Sequence, residues 1–431
     1  MWSQSHKSRR VWCRALFVAG CLLPTLAVAA VAVWRQLPLH VRAAEAELSA
    51  QLGLPVRLSG VSHPRPHVTV YHGLEVIDLE TGGSLCRARL VEADERGDAV
   101  VLDVAQLEIE PTGQRELWRL LQTSLHDRSA WRDVVLSAGE VTLDGHPRAW
   151  TLTEVGARLE RKQLNTGAVA QFRIAGLDMP QPATVQFVRQ RNADSAATTV
   201  RLETGPSSLP CALFSGVVPN VARLGPAASF SGSLMAKESA GGWHATLSGD
   251  LHDLDLYSLV TAHYPHRLNG PARVTIEEAR FDEGRLQAAS GQLSAGPGVV
   301  SRSLLDAADA WLGTPTPGHT ADADALVLYE QLAVRFDIDE AGLRLSGGCG
   351  TAGSGRIMVN RSGTLLSDSP IQPVPVVALV RTLVPENTVQ VPATRETEPL
   401  VGWLPVPHIQ RSRPSAAGEQ PPGARLLRSP R

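Results

Sequence analysis

From Val56 onward the chain reads mostly as short runs in which apolar and polar residues alternate, with Gly, Pro, Asn or Asp frequent between them. A period of two puts every second side chain on one face of a strand, so each run predicts a strand with one buried face. Val68 to Val76, Leu85 to Val91 and Ala99 to Glu110 carry the pattern first. Val134 to Leu143, Trp150 to Leu159, Val169 to Ile174, Thr184 to Val188, Thr198 to Leu202, Ser229 to Met235 and Trp243 to Leu251 continue it. Turn signals at intervals of roughly ten residues predict antiparallel meanders rather than βαβ units. Phe281 to Leu286 and Phe336 to Leu345 both read as strand, acidic turn with Gly, and returning strand. In each, Asp and Gly supply the positive φ angles that a tight hairpin needs, so the same device is expected twice.

Helical spacing interrupts the alternation in a few places. Pro38 to Leu52 predicts a helix, with Pro38 in its first turn, Val41, Leu48 and Leu52 at helical intervals, and Gly53 and Pro55 ending it. Arg115 to Leu125 places Leu117, Leu120, Leu121 and Leu125 on one side. Ser301 to Leu312 does the same with Leu304, Leu305, Ala308 and Leu312, and Gly313 and Pro315 stop it. Pro64 and Pro66 mark a linker. Val374 to Leu383 is a last apolar element, which Pro375 assigns to a sheet edge. Beyond about Pro405 the Pro, Ser, Gly and Arg content cannot bury a core, which predicts a disordered tail.

Neither period describes the run from Ala15 to Trp34, which is uncharged and almost wholly apolar. At ~1.5 Å per residue, a helix of that length crosses a hydrocarbon layer of ~30 Å. Lys7, Arg9, Arg10 and Arg14 precede it, against Arg35 and Arg42 just after. The excess of positive charge predicts a cytoplasmic N-terminus and export of everything after Trp34. Two processing readings compete with a retained anchor. Ala27-Val28-Ala29 resembles a signal-peptide cleavage site, and Val18-Ala19-Gly20-Cys21 the box cut during lipoprotein maturation. All three readings predict export.

Of the 431 residues 43% are hydrophobic and 19% charged, with a net charge of −2, so domains with real cores are affordable and a nucleic-acid partner is not expected. Five cysteines do not make a disulfide framework. Cys13 and Cys21 belong to the apolar region, leaving Cys86, Cys211 and Cys349 as expected buried thiols. Arg411, Arg413, Arg425, Arg428 and Arg431 face only Glu419 in the tail, a basic cluster read as a solvated terminus or as a handle for anionic head groups.

Chemical motifs fail on context. Gly348 to Gly353 spells G-x-G-x-x-G after a strand, but Ile357-Met358-Val359 beyond it is another strand, so no helix N-terminus stands ready for a pyrophosphate. His67 and His72, with His63 nearby, are an odd number apart and point to opposite faces. His263 and His266 share a turn that lacks further ligands in the adjacent sequence. Asp250, Asp253 and Asp255 could hold a cation, pair as acid and base, or close a strand into a turn. An exported hydrolase built from Asp250 to His266 is the enzyme reading of this stretch. The chain is expected not to be an enzyme, with no catalytic, cofactor-binding or metal-ligating residue and no cofactor.

One resemblance covers the amino-terminal region. A basic start, an apolar span, a helix running into Leu52-Gly53-Leu54-Pro55-Val56-Arg57-Leu58, then Leu74 to Asp78 and Leu85 to Ala93, resembles the pattern of AsmA-like proteins of bacterial envelopes. The Phe336 to Ser346 stretch is similar to strand pairs near the carboxyl end of such proteins. The resemblance implies an inner-membrane protein whose periplasmic part is a long curved β-sheet with an apolar groove. It also implies a role in outer-membrane assembly or phospholipid movement, although this chain is shorter than the larger members. The expected fold is mainly β, with antiparallel strands in an elongated curved sheet or groove, an N-terminal transmembrane helix and a few short helices. The expected division is a basic cytoplasmic stretch over 1–14, a span over 15–34 and a membrane-proximal α/β region with its stalk helix over 37–130. A β-rich periplasmic domain over 131–370 and a Pro-rich tail over 371–431 complete it. Expected partners are the membrane, a phospholipid ligand and envelope proteins; a scaffold of the envelope is the alternative role.

Overall fold

Alternation along the chain becomes one long sheet. The computed structural model describes residues 12, 14–28, 38–79, 81–97, 99–111, 113–114, 116–119, 133–144, 148–162, 165–191, 196–215, 218, 221–239, 242–317, 325–350 and 355–384. The first strands are β1 (Val56–Arg57), β2 (Gly60–Arg65), β3 (Val68–Ile77), β4 (Ser84–Arg96) and β5 (Ala99–Ile109). Then come β6 (Asp133–Leu143), β7 (Trp150–Lys162), β8 (Asn165–Ile174), β9 (Ala183–Arg191), β10 (Ala196–Glu203) and β11 (Leu209–Pro210). The second half holds β12 (Ser229–Ser239), β13 (Gly242–Asp255), β14 (Pro271–Asp282), β15 (Arg285–Ala295), β16 (Gly298–Ser301) and β17 (Leu326–Tyr329). Last are β18 (Gln331–Asp339), β19 (Gly342–Gly347), β20 (Arg356–Asn360) and β21 (Gly363–Ser367). Three helices accompany them: α1 (Pro38–Leu52), α2 (Arg302–Leu312) and α3 (Val377–Leu383).

β1 and β2 lie end to end along β3, and from β3 to β10 each strand pairs with the next. β10 and β11 lie end to end along β12, and the sheet continues through β13, β14 and β15 to β18. β19 and β20 both pair with β18, and β21 with β20; β16 and β17 form a separate pair. The protein is therefore mainly β, as its alternation predicts.

The expectation of antiparallel strands throughout needs one correction. β5 and β6 are parallel, from Ala99 beside Asp133 to Ile109 beside Leu143. Parallel neighbours require a crossover of a dozen or more residues, and the stretch between these strands is that long. Its residues 113–114 and 116–119 are helical, while the rest of the helix expected over Arg115 to Leu125 lies outside the described residues.

Both ends of the sheet are closed by the chain itself. At the first edge, Glu45 of α1 accepts a hydrogen bond from Leu58 N at 2.9 Å, and Ser49 accepts one from Val56 N at 2.9 Å. The expected stalk helix is thus tied to the backbone of the edge row, which removes donors that would otherwise attract another strand. Pro64 lies within β2 on that row rather than in a linker, where its missing N–H breaks no ladder. At the far edge, Leu343 and Val374 exchange both backbone hydrogen bonds, at 2.8 and 2.9 Å. The expected edge element from Val374 to Leu383 is a strand-like contact only at Val374 and then turns into α3, whose Ala378 and Val380 are buried. Arg381 of α3 stacks over the Trp311 ring of α2 at 4.9 Å. α2 ends as its sequence requires, with Gly313 at φ 63 accepting the left-handed position and its N–H bonded back to Asp309 O.

The two hairpins expected to repeat one device are different. In the first, Glu283 and Gly284 both have positive φ, 49 and 77, so Glu283 rather than Asp282 takes the left-handed position of a two-residue loop. In the second, Glu340 and Ala341 form the loop, and Asp339 Oδ1 accepts from both Ala341 N and Gly342 N. There the Asp side chain makes the turn.

Of the apolar run over 15–34, residues 14–28 are helical, with a π-helical turn at Val18–Leu22, and residues 29–34 lie outside the described residues. Among the described residues no helix is long and apolar enough to cross a membrane, so a spanning helix is not part of the observed fold. The expected basic stretch over 1–14, apart from Trp12 and Arg14, and the tail beyond 384 also lie outside the described residues.

Gly232 and Gly249 face each other in register across β12 and β13, at φ 152 and 142. A Cβ on Gly232 would strike Ser248 O, and one on Gly249 would strike Ser231 O, so the two backbones approach more closely than any side chain permits. The ring of Phe230 covers this gap, and that of Phe336 covers Gly291 in the same way. Gly232→Ala is expected to destabilise the protein by at least about 1–3 kcal/mol from backbone strain alone, read as a lowered midpoint of denaturant unfolding.

Candidate functional site

Because partners in a β-ladder point to the same face, the register decides what that face looks like. Starting on β4, Ala93 is opposite Leu102, Leu102 opposite Leu136, Leu136 opposite Ala157, and Ala157 opposite Ala170. The row continues through Val185, Leu202, Leu234 and Leu247. It ends through Ala279, Ala289, Ile338 and Leu343 on β19. Every position is apolar. From β4 to β19 the row takes twelve strand-to-strand steps, which at ~4.8 Å each make it about 58 Å long. A second row runs beside it, from Val100 through Val134, Leu159, Ala168, Phe187 and Val200 to Ala236, Ala245, Phe281 and Leu286.

The opposite face differs. Arg158, Gln186, Arg201, Met235 and Arg280 lie there and are exposed, Met235 at 47%. The sheet therefore has one apolar and one solvated face along most of its length. Among the described residues its apolar face is not fully covered. Ala93, Leu202, Ala279, Ala289, Ile338 and Leu343 are buried, but Leu102, Leu136, Ala157, Ala170, Val185, Leu234 and Leu247 are only half-buried. The row runs into two buried clusters: Leu102, Leu136, Val185 and Leu234 pack against the first, which includes Leu202, and Leu247 against the second. The first gathers Leu54, Val56, Val76, Leu85, Ile174 and Leu209, with Val41 and Leu48 of α1 against it; the second gathers Val300, Leu305, Tyr329, Leu343 and Val380 around α2 and α3. The crossover between β5 and β6 also reaches this face: Trp118 meets Phe187 of β9 edge-on, with ring centroids 5.2 Å apart.

Next to the second row, on the same face, stands a polar row of Thr166, Arg189, Thr198 and Glu238 in register. Arg189 is 9% exposed, and its Nη1 donates to Thr198 Oγ1 at 2.6 Å. The Glu238 carboxylate is 3.8 Å away. Sequence reasoning passed over this residue. The signal was present, since Ala183, Val185 and Phe187 set an inward phase that puts Arg189 inward too.

The residues that the sequence singled out have other occupations. Asp255 caps the turn after β13, accepting from Tyr257 N at 3.0 Å and from Ser258 Oγ at 2.7 Å. Asp250 accepts from Thr275 at 2.6 Å, and Asp253 has φ 54 at an irregularity in β13. His266 is buried, its Nδ1 3.0 Å from Ser303 Oγ, and the ring of His263 lies edge-on to Tyr264. His266 lines a cavity of about 470 Å³ with Tyr257 and Tyr264, away from the apolar rows. His63 contacts the His40 ring, 5.2 Å between centroids, and His72 bonds to Ser62. Among the described residues no three His, Cys, Asp or Glu side chains gather as a metal site. The glycine-rich stretch leads from β19 to β20; its residues 351–354 lie outside the described residues. A cavity of about 650 Å³ between hairpin ends is lined by His244, Arg280, Asp282 and Asp339, and His244 pairs with Asp282 at 2.8 Å.

Comparison of the chain with protein-family models, with curated proteins and with solved structures found no match.

Cys86, Cys211 and Cys349 are buried, and burial pushes the pKa of Cys86 and of Cys211 up to about 11. The thiolate is the reactive form. At pH 8 a maleimide is expected to leave all three unmodified in the native protein and to modify them after unfolding, as mass spectrometry of the labelled peptides will show.

Proposed function

We propose that this chain is a membrane-anchored, non-catalytic protein of the bacterial envelope that holds phospholipid acyl chains along its apolar sheet face. The observation that carries the reading is the unbroken apolar row from Ala93 to Leu343, half-buried at its centre over a solvated opposite face. An acyl chain gains ~0.8 kcal/mol for each methylene removed from water, and a row of alternate apolar side chains offers that shelter without a closed core. Its length favours a track over a single pocket. One leaflet of a ~30 Å hydrocarbon layer is about 15 Å deep, so a row of about 58 Å accommodates several acyl chains end to end.

The apolar run supports a place at the membrane. Leu16, Phe17, Leu22, Leu23, Leu26 and Val28 are all exposed on the helical residues 14–28, so nothing else in the described structure buries this surface. A helix that is apolar all round belongs in lipid or in a protein core. The basic residues before it support an orientation with the bulk of the chain on the periplasmic side of an inner membrane, in line with the AsmA-like pattern.

The full chain, purified from membranes in detergent, is expected to carry phospholipid detectable by mass spectrometry and to take up acyl-labelled lipid from liposomes. Leu234→Asp or Leu247→Asp sacrifices contact with about two methylenes, ~1.6 kcal/mol, so bound lipid should fall more than tenfold. Met235→Asp, on the solvated face, should leave it unchanged. Wild-type protein that carries no lipid and accepts none overturns the reading.

A further inference from the structure

Arg189 is the feature that neither the fold nor an apolar track explains. It lies on the apolar face of β9, two residues beyond Phe187, and 9% of its surface is exposed. A guanidinium offers five N–H donors and cannot shed its charge, so burying one is costly unless anionic or polar partners surround it. The partners provided are few. Thr198 Oγ1 accepts one hydrogen bond at 2.6 Å, and Glu238 at 3.8 Å is beyond hydrogen-bonding distance. The buried Nε has no hydrogen-bond partner among the described residues. Buried Arg302 of α2 also has an unpartnered Nη1 among the described residues, but its charge is met by Asp306 at 2.9 Å, whereas the carboxylate nearest Arg189 stands at 3.8 Å.

We propose that Arg189 receives the phosphate of a lipid head group whose acyl chain lies along the neighbouring apolar rows. The assignment rests on the lipid reading above and adds the chemistry of the head. The Nε edge of a guanidinium presents parallel N–H donors that match two oxygens of a phosphate, and such charge-assisted pairs are short and strong. Thr198 holds Nη1 from the other side and so orients the fork. Glu238, with 38% of its side chain exposed, stands 3.8 Å from Nη1 and so leaves the Nε edge of the guanidinium to another anion. Phe187 and Val200 line the approach one pleat away, where the first methylenes of an acyl chain would follow the phosphate. Head and tail are then read by adjacent rows of one sheet face.

Three probes separate the possibilities on the full chain in detergent: acyl-labelled phosphatidic acid, diacylglycerol with the same acyl chains, and inorganic phosphate. Wild-type protein is expected to bind phosphatidic acid at least tenfold more tightly than diacylglycerol, with millimolar inorganic phosphate failing to compete. Arg189→Gln should erase that preference while leaving diacylglycerol binding in place. Arg189→Lys, which keeps the charge and loses the fork, should retain part of it and provides the test if the Gln variant does not fold. Equal binding of the two lipids by wild-type protein overturns the assignment and spares the apolar track. Competition by inorganic phosphate that depends on Arg189, without any preference between the lipids, assigns the site to free phosphate and overturns it too. Binding of neither lipid removes the track and this proposal together.

Discussion

Leu202 faces Val185 on one neighbouring strand and Leu234 on the other, and each of these passes the same face to the next strand. A slip of one residue at any of these pairings would turn that strand's apolar side chains to water and bring its polar set inward. Register is thus what makes an apolar surface out of residues scattered from Ala93 to Leu343. The irregularities confirm how narrow the tolerance is. β7 and β8 shift register between Thr153 and Gly156, and β13 and β14 shift twice, yet in each case the apolar row resumes on the same face. Glu154 and Asp253 hold positive φ at two of these places, the local cost of restoring phase.

The amino-terminal strands show a different use of alternation. β4 buries Cys86 and Ala88 near its start but Val91 and Ala93 near its end, so the buried phase changes from even to odd positions within one strand. β5 does the same, with Ile109 and Val104 buried on opposite faces. Their register with one another is unbroken, so the change is a real exchange of faces. Both phases belong to the cluster that includes Val76 and Leu85, since Val91 and Val104 are members of it too, and Ala93 and Leu102 beside them begin the apolar row. A strand with two buried faces in succession thus joins that core to the apolar row without any linker.

Much of the fold was legible because its elements obey local rules. Pro38 and Gly53 bracket α1, Gly313 ends α2, and most strands follow their alternation within a few residues. What sequence could not supply was pairing. The parallel match of β5 with β6 depends on a crossover whose helix has an ordinary amphipathic pattern, and nothing local distinguishes that from a hairpin excursion. Pro375 assigns the apolar element from Val374 to Leu383 to a sheet edge, yet Val377–Leu383 is the helix α3, because periodicity in so short an apolar run cannot separate strand from helix. The apolar rows were equally hidden, since half-burial and full burial produce the same alternation. Arg189 was visible only as an inward phase position with the wrong residue type, and such a position gains meaning when its neighbours in register are known.

The crossover connects these observations. To leave β5 and re-enter beside it in parallel, the chain must travel back along the sheet, and Trp118, at the described start of that crossover, reaches Phe187 on the apolar face. Phe187 is separated from β6 by β7 and β8, so Trp118 lies about 14 Å across the sheet from the strand it leads into. A large aromatic ring placed there covers one position of the second row, at Phe187, two residues before Arg189 on β9. The single departure from antiparallel pairing thus brings Trp118 against the strand that also carries Arg189. Residues far apart in the sequence, Trp118 after β5 and Phe187 in β9, therefore share one point of the apolar face, and the parallel pairing of β5 with β6 is coupled to the second row through that ring pair.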